Sequence, residues 1–188
     1  MKFVSKCILA LMVLVFMGCA GSSKYMQPAT TMVQTSPDKA IVYFMRPSGI
    51  GFAINFQIWD GDRFIGLSQA KSYFGYQCAP GKHLFIGIAE NKRGLEADLE
   101  AGKAYFAITQ VRMGGWRARM AFIPVTRGSK FWGAVENYRT DLKYIEAKPG
   151  MLMEWETKYK AKAQDVLSFL NSAEGQKYIS RLNKSDGR

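Results

Sequence analysis

The stretch Ala53–Leu67 (AINFQIWDGDRFIGL) contains two short β-rich runs separated by a turn signal. In the first run, apolar residues alternate with polar ones, and a period of two is typical of a strand with one buried face. The dipeptide Asp60-Gly61 follows this run and suits the backbone angles of a tight hairpin. The stretch therefore predicts a β-hairpin and indicates a fold built from short strands.

Runs of the same kind continue on both sides of this hairpin, separated by Gly and Pro at nearly regular intervals. Among 188 residues, 48% are hydrophobic and 13% aromatic, which is enough to fill a core and excludes disorder for most of the length. We therefore predict a mainly β fold over residues 40–126, an antiparallel β-sandwich of about eight strands. The predicted strands cover residues 41–46, 53–59, 63–67, 72–78, 83–89, 95–99, 104–112 and 116–125.

After residue 126 the apolar residues change to helical spacing, so we predict a helical extension over residues 127–188. A first apolar stripe ends at Pro149-Gly150, a second follows it, and a last short helix is predicted through Leu182. We expect the second stripe to pack against the β domain through Trp155. The two stripes consist of Phe131, Val135, Tyr138, Leu142 and Ile145, and of Leu152, Trp155, Tyr159, Val166 and Leu170.

Residues 1–18 have the parts of a secretory signal peptide. Lys2 and Lys6 precede the uncharged apolar run Cys7–Met17, and small residues follow from Gly18 onward. A membrane-spanning anchor is the alternative, but a spanning helix needs about 20 apolar residues and this run is much shorter. The amino terminus therefore predicts an exported protein.

The sequence Phe16-Met17-Gly18-Cys19 resembles a bacterial lipobox, in which the signal is cut before a cysteine whose thiol carries a diacylglycerol. Gly18 has the small side chain required before the cut, whereas Phe16 and Met17 depart from the usual residues. The resemblance implies lipidation of Cys19 and a lasting membrane anchor. Because Ala20 stands where an aspartate would signal inner-membrane retention, it also implies the outer membrane.

The polar residues that follow, with two prolines and no steady period, predict a flexible tether over residues 19–39. Cys7 would leave with the signal and Cys19 would carry lipid, so Cys78 would have no partner for an internal disulfide. We expect Cys78 to be a small buried hydrophobe on a strand.

The sequence offers little material for catalysis or metal binding. His83 is the only histidine, and acid–base chemistry would need a partner to orient it, so we expect a partly exposed structural histidine. Asp60 and Asp62 could serve calcium, but such a site needs six to eight oxygens, and turn chemistry explains both residues. No phosphate-binding loop or nucleophile elbow occurs. We therefore expect a protein that is not an enzyme, with no metal and no cofactor.

Positive charge is the remaining signal, because 26 Lys+Arg residues against 15 Asp+Glu give a formal charge of +11. Arg112, Trp116, Arg117 and Arg119 surround Gly114-Gly115 and form a predicted contact for an anionic ligand. Basic residues beside aromatic ones also suit nucleic acid, but the predicted compartment argues against that partner. Anionic lipid headgroups, acidic glycans or an acidic protein surface fit better, and a solvated basic face is the alternative.

Four further pieces carry a resemblance: Val42–Pro47, Trp59–Gly66, Pro80–His83 and Gly102–Phe106. In this layout, residues 40–110 resemble a family of small bacterial lipoproteins classed as a domain of unknown function. The Asp-Gly…Ile-Gly and Pro-Gly-x-His pieces are also similar to PEGA-type surface domains. The resemblance covers a little under half of the chain and implies a β domain without implying an activity.

These observations predict a non-enzymatic, lipid-anchored protein of the bacterial cell envelope that serves as a structural or interaction module. We expect it at the outer membrane, on the periplasmic face or the surface, with an envelope protein or an anionic glycan or lipid as partner. The alternative is a periplasmic lipoprotein that binds a small molecule or glycan near Trp116. A hydrolase fits least, because paired catalytic groups are missing from the sequence.

Overall fold

Eleven strands in two mixed sheets, followed by a C-terminal helix, make up the computed structural model, which describes residues 24–114 and 117–188. The strands are β1 (Met26–Pro28), β2 (Ala40–Arg46), β3 (Phe56–Asp60), β4 (Arg63–Ser68), β5 (Ser72–Cys78), β6 (Gly81–Ile88), β7 (Lys92–Leu99), β8 (Ala104–Gly114), β9 (Arg117–Pro124), β10 (Lys143–Ala147) and β11 (Ile179–Leu182). The helices are α1 (Val135–Asp141) and α2 (Met151–Asn171), with short 3₁₀ turns at Gly175–Tyr178 and Lys184–Asp186.

The predicted β-hairpin is confirmed. Strands β3 and β4 pair antiparallel, with Asp60 opposite Arg63 and Phe56 opposite Ser68. Gly61 has φ +58°, a left-handed conformation that glycine adopts at little cost, which explains its place in the turn. The eight predicted strands correspond to β2–β9.

The prediction of an antiparallel sheet arrangement is wrong, because both sheets are mixed. The six-stranded sheet has the order β1-β10-β5-β2-β8-β9, and the five-stranded sheet has the order β11-β7-β6-β3-β4. The chain alternates between the sheets after β2, so β8 re-enters beside β2 in the same direction and pairs with it in parallel. Strand β10 is likewise parallel to β5, and β11 is parallel to β7.

Strand β2 is buried on both of its faces. On the inner face Phe44 lies 5.3 Å from Phe85 of the five-stranded sheet and 6.1 Å from Phe122, between ring centroids, within the core that joins the two sheets. On the outer face Tyr43 and its neighbours form a second cluster with residues of α1 and the chain after it. The near-continuous apolar sequence of β2 follows from this position.

The segment predicted as a flexible tether differs from that prediction where the structure describes it. Strand β1 pairs antiparallel with β10, and Met26 is only 2% exposed. Farther along, the Val33 amide donates to the Tyr144 hydroxyl, and the Tyr43 hydroxyl donates to the Val33 carbonyl. These contacts hold residues 24–39 against the six-stranded sheet. Strand β1 also covers the edge of β10, whose hydrogen-bonding groups would otherwise be exposed.

The C-terminal region is less helical than its spacing predicts. Helix α1 covers only part of the first stripe, and Ile145 is buried in β10 instead. The last predicted helix is a 3₁₀ turn followed by β11. In both places an open edge, of β5 or of β7, offers backbone partners, and strand pairing outweighs the local helical pattern.

Helix α2 confirms the packing of the second stripe from Trp155 onward, whereas Leu152 is 40% exposed. Gly150, at φ +82°, begins it, and Trp155 stacks on Phe64 of β4 with ring centroids 5.6 Å apart. The Tyr25 ring meets Trp155 edge-on at 4.4 Å. Within residues 24–114 and 117–188 no helix combines the length and the apolar character needed to cross a bilayer.

We expect Trp155→Ala to lower the free energy of unfolding by about 3 kcal/mol, because the ring packs between β4 and Tyr25. Urea unfolding of the chain from residue 20 onward measures the loss. Met153→Ala on the same helix is the control, since Met153 is 76% exposed and its loss should stay within about 0.5 kcal/mol. Equal small losses for both variants would show that the Trp155 contacts add no stability.

Candidate functional site

Three connections meet at one end of the two sheets, which we call the loop end. They are residues 47–55 between β2 and β3, residues 69–71 between β4 and β5, and residues 89–91 between β6 and β7. The strand registers bring them together: Arg46 lies opposite Ser72, and the next connection joins Ser72 back to Ser68 beside Phe56. Strand β8 continues past the end of β2, so the last residues of β8 and the first of β9 also lie at this end.

The structure brings two of the predicted ligand-contact residues together at the loop end. Arg112 and Arg119 are directly opposite each other on β8 and β9, and both are exposed. Arg117 pairs with Gly114 at the start of β9, whereas Trp116 lies outside the described residues. Like charges in directly opposed positions repel each other, so this pair is not explained by sheet stability.

Arg93 of β7 joins these two arginines, although nothing in the sequence around it indicates this. The pKa of the Arg93 guanidinium is lowered, and burial is the largest cause. Tyr178 raises this pKa, whereas the positive charges of Arg112 and Arg119 lower it. Asn91 fixes the arrangement, because its amide donates to the Met120 carbonyl at 2.9 Å and accepts from the Met120 amide at 2.8 Å. The β6–β7 turn is therefore tied to β9.

A solvent-open concavity of about 360 Å³ lies between the β6–β7 turn and the C-terminal region. Two cations sit over its aromatic wall: the Arg93 guanidinium is 4.7 Å from the Tyr178 ring centroid, and the Lys92 ammonium is 5.0 Å from that of Phe169. The two rings stack at 5.8 Å. Such a surface combines donors for an anionic group with a flat apolar wall. Its lining comprises Glu90, Asn91, Lys92, Arg93, Arg119, Phe169 and Tyr178.

Some cations elsewhere on the surface pair with nearby carboxylates. Lys103 pairs with Glu100, Lys160 with Asp62, and Arg181 with Glu96. At the loop end the concavity is lined by Lys92, Arg93 and Arg119 together with the carboxylate of Glu90. Cations therefore outnumber carboxylates around the concavity.

His83 has the oriented partner that its sequence context does not reveal. Its Nδ1 donates to the Asp60 carboxylate at 2.9 Å, and its Nε2 donates to the Ala79 carbonyl at 2.9 Å. The Tyr76 hydroxyl donates to the same carboxylate at 3.1 Å. Both ring nitrogens are thus donors, which requires the imidazolium form. The pairing of β3 with β6 creates this contact, because Asp60 lies opposite Phe85, two residues beyond His83.

The geometry around His83 does not suit acid–base catalysis. The Asp60 carboxylate raises the pKa of His83 to about 10, with a second contribution from Cys78, so the ring holds its proton at neutral pH. Neither nitrogen is free to accept a proton from a substrate. The Asp60 carboxylate accepts hydrogen bonds from His83 and Tyr76. Within residues 24–114 and 117–188 no group of three His, Cys, Asp or Glu side chains is arranged for a metal ion.

The two cysteines singled out from the sequence have different standing in the structure. Cys78 ends β5 with 6% exposure and is a free thiol in the core between the sheets, as the sequence predicts. Cys19 lies outside the described residues, so its lipidation stays a prediction.

The His83–Asp60 pair predicts a pH-dependent stability. Because the folded-state pKa of His83 is raised to about 10 from an unfolded value of about 6.5, its stabilisation is complete below about pH 6.5 and is lost as pH rises toward 10. We expect His83→Gln to be destabilised relative to the parent most strongly at acid pH, with the difference shrinking toward pH 10. Urea unfolding of both chains across this range measures it. A difference that does not vary with pH would show that folding leaves the pKa of His83 unchanged.

Comparison with known proteins adds no relative to this description: no family model, curated protein or solved structure matches the chain. The resemblance to small envelope lipoproteins and to PEGA-type domains therefore stays a prediction from the quoted motifs.

Proposed function

We propose that this chain is a non-enzymatic, lipid-anchored protein of the bacterial cell envelope that acts as an interaction module for an anionic partner. The observation that carries the proposal is the convergence of Arg93, Arg112 and Arg119 from both sheets. Holding like charges together costs stability, and a fold recovers that cost when an anionic partner binds. A basic face that contacts only solvent would not require the Asn91 hydrogen bonds that tie the β6–β7 turn, next to Arg93, to β9.

The envelope assignment rests on the amino terminus. A signal followed by Gly18-Cys19 supports lipidation of Cys19 and anchoring at the outer membrane, on its periplasmic face or at the surface. Only four residues lie between Cys19 and Lys24, so an anchor there would hold the folded part close to the bilayer. Nucleic acid is not proposed as a partner, because this compartment does not present it.

A second candidate function is the binding of a small acidic glycan or other small molecule. It is favoured by the stacked Phe169 and Tyr178 rings beside Arg93, which resemble the mixture of flat apolar and charged surface that such ligands use. The concavity is open to solvent, and this favours an extended acidic partner over a small enclosed ligand.

We expect the double variant Arg93→Ala/Arg119→Ala to bind a short heparin fragment, used as an acidic glycan probe, about tenfold more weakly or worse than the parent. Isothermal titration calorimetry at about 0.15 M NaCl measures the change. The control is Lys82→Ala/Lys158→Ala, which removes the same charge from exposed positions outside the concavity. Equal weakening of both variants would indicate a general charge effect and would contradict the site.

We expect Cys19→Ser to abolish labelling of the full-length protein by a fatty-acid probe in bacterial cells and to leave the signal uncleaved at residue 18. Cys78→Ser is the matched control and should label like the parent, since Cys78 is buried and lies far along the chain from the signal. Gel fluorescence and intact mass measure both effects. Equal labelling of the Cys19 variant and the parent would contradict the lipid anchor.

A further inference from the structure

The connection between β2 and β3 carries three large apolar side chains into solvent. Phe52 is 81% exposed, Ile50 61% and Ile54 39%, and all three are within five residues of one another. Gly51, at φ +64°, forms the turn that places them at the tip, and the positive φ explains why glycine stands there. We call residues 50–54 the apolar tip. Apolar side chains in such a cluster mark a surface that leaves water in some bound state.

Arg46 binds three carbonyls of the apolar tip from inside the protein. The guanidinium is fully buried, and it donates to the carbonyls of Ile54 at 2.5 Å, Ile50 at 2.9 Å and Gly51 at 2.8 Å. The Ile50 amide donates to the Ser48 hydroxyl, and the Ile54 amide donates to the Gly51 carbonyl. Five backbone groups at the base of the turn therefore have internal partners, whereas the exposed Phe52 and Ala53 between them have none within the described residues.

These internal partners matter because the hydrocarbon of a bilayer offers no hydrogen bonds. Each unsatisfied backbone group that enters the hydrocarbon costs several kcal/mol, and this excludes ordinary loops from deep insertion. At the headgroup–acyl boundary, water reaches the backbone of Phe52 and Ala53, while the hydrogen-bonded groups at the base of the turn keep their internal partners. The depth that suits this turn is therefore the boundary and not the hydrocarbon.

Cations lie on the elements next to the apolar tip. A Cβ built on Gly49 would lie 3.6 Å from Cε of Lys71, and one built on Gly51 would lie 3.7 Å from Val111 of β8. Arg112 follows Val111 on β8 and is directly opposite Arg119. Cations of this kind attract a surface that carries anionic lipids.

We propose that the loop end docks on an anionic bilayer surface, with Ile50, Phe52 and Ile54 entering the headgroup–acyl boundary and the neighbouring arginines contacting lipid phosphates. This inference rests on the proposed function and specifies its partner. A protein partner is disfavoured on size, because three side chains on one turn offer far less surface than a stable protein interface of about 1,000 Å² or more.

Vesicle co-sedimentation tests the proposal with residues 20–188, which contain every described strand and helix and carry no lipid. The vesicles contain phosphatidylglycerol and phosphatidylcholine in equal parts, or phosphatidylcholine alone. We expect the parent to bind the anionic vesicles, and Ile50→Ser/Phe52→Ser to bind them about tenfold more weakly or worse. Leu152→Ser/Met153→Ser is the matched control, since it removes exposed apolar residues from α2 and should bind like the parent.

The outcomes separate this inference from the proposed function, because circular dichroism first confirms that each variant is folded and each is then titrated with the heparin fragment. A tip variant that loses vesicle binding and keeps heparin binding supports the inference. Anionic vesicles bound equally by the tip variant and the parent overturn it, as does equal binding of the parent to both kinds of vesicle. A parent that binds heparin and no vesicles also overturns it, whereas a parent that binds neither overturns the proposed function as well.

Discussion

The loop end depends on one buried charge, the guanidinium of Arg46, whose partners are backbone carbonyls and the face of the Phe56 ring at 4.6 Å. Among the described residues no carboxylate neutralises it, and burial lowers its pKa to about 10, so the group remains a cation at neutral pH. Oriented carbonyl dipoles offset the loss of water that burial imposes. Because one side chain links the end of β2 to the loop and to Ser68, the shape of this end is set from within.

The position of β2 makes that arrangement possible. It is the strand that carries Arg46, and it is covered on one face by the five-stranded sheet and on the other by the cluster around α1. A strand in such a place is rigid, so the guanidinium at its end is a fixed point rather than a mobile surface group. The cations of β7, β8 and β9 are arranged around the same end, beside this buried strand.

The sequence predicted what local patterns determine. Alternation and Asp60-Gly61 located the first hairpin, and Pro149-Gly150 located the start of α2, since both signals act over a few neighbouring residues. Pairings between distant segments were not accessible: β11 lies in a stretch with helical spacing, and it becomes a strand because the edge of β7 is open. The site shows the same division. Arg112 and Arg119 flank a turn that the sequence shows, whereas Arg93 comes near them only through the packing of the two sheets. In the sequence Arg46 is an ordinary strand end, and its contacts with the loop are seen only in the folded structure.

Strand β1 has a mechanical consequence for any protein held by its amino terminus. A pull on the chain at Lys24 reaches the fold through three residue pairs between β1 and β10, on the outermost edge of the six-stranded sheet. Those pairs and the Tyr25 contact to Trp155 carry the load first, and the hydrogen bonds of Ala29 and Val33 with Tyr144 carry it next, before tension is transmitted to β2 and the core. Detachment of the edge strand would thus lengthen the connection between the folded body and its point of attachment under load. When the load falls, the same pairs can form again.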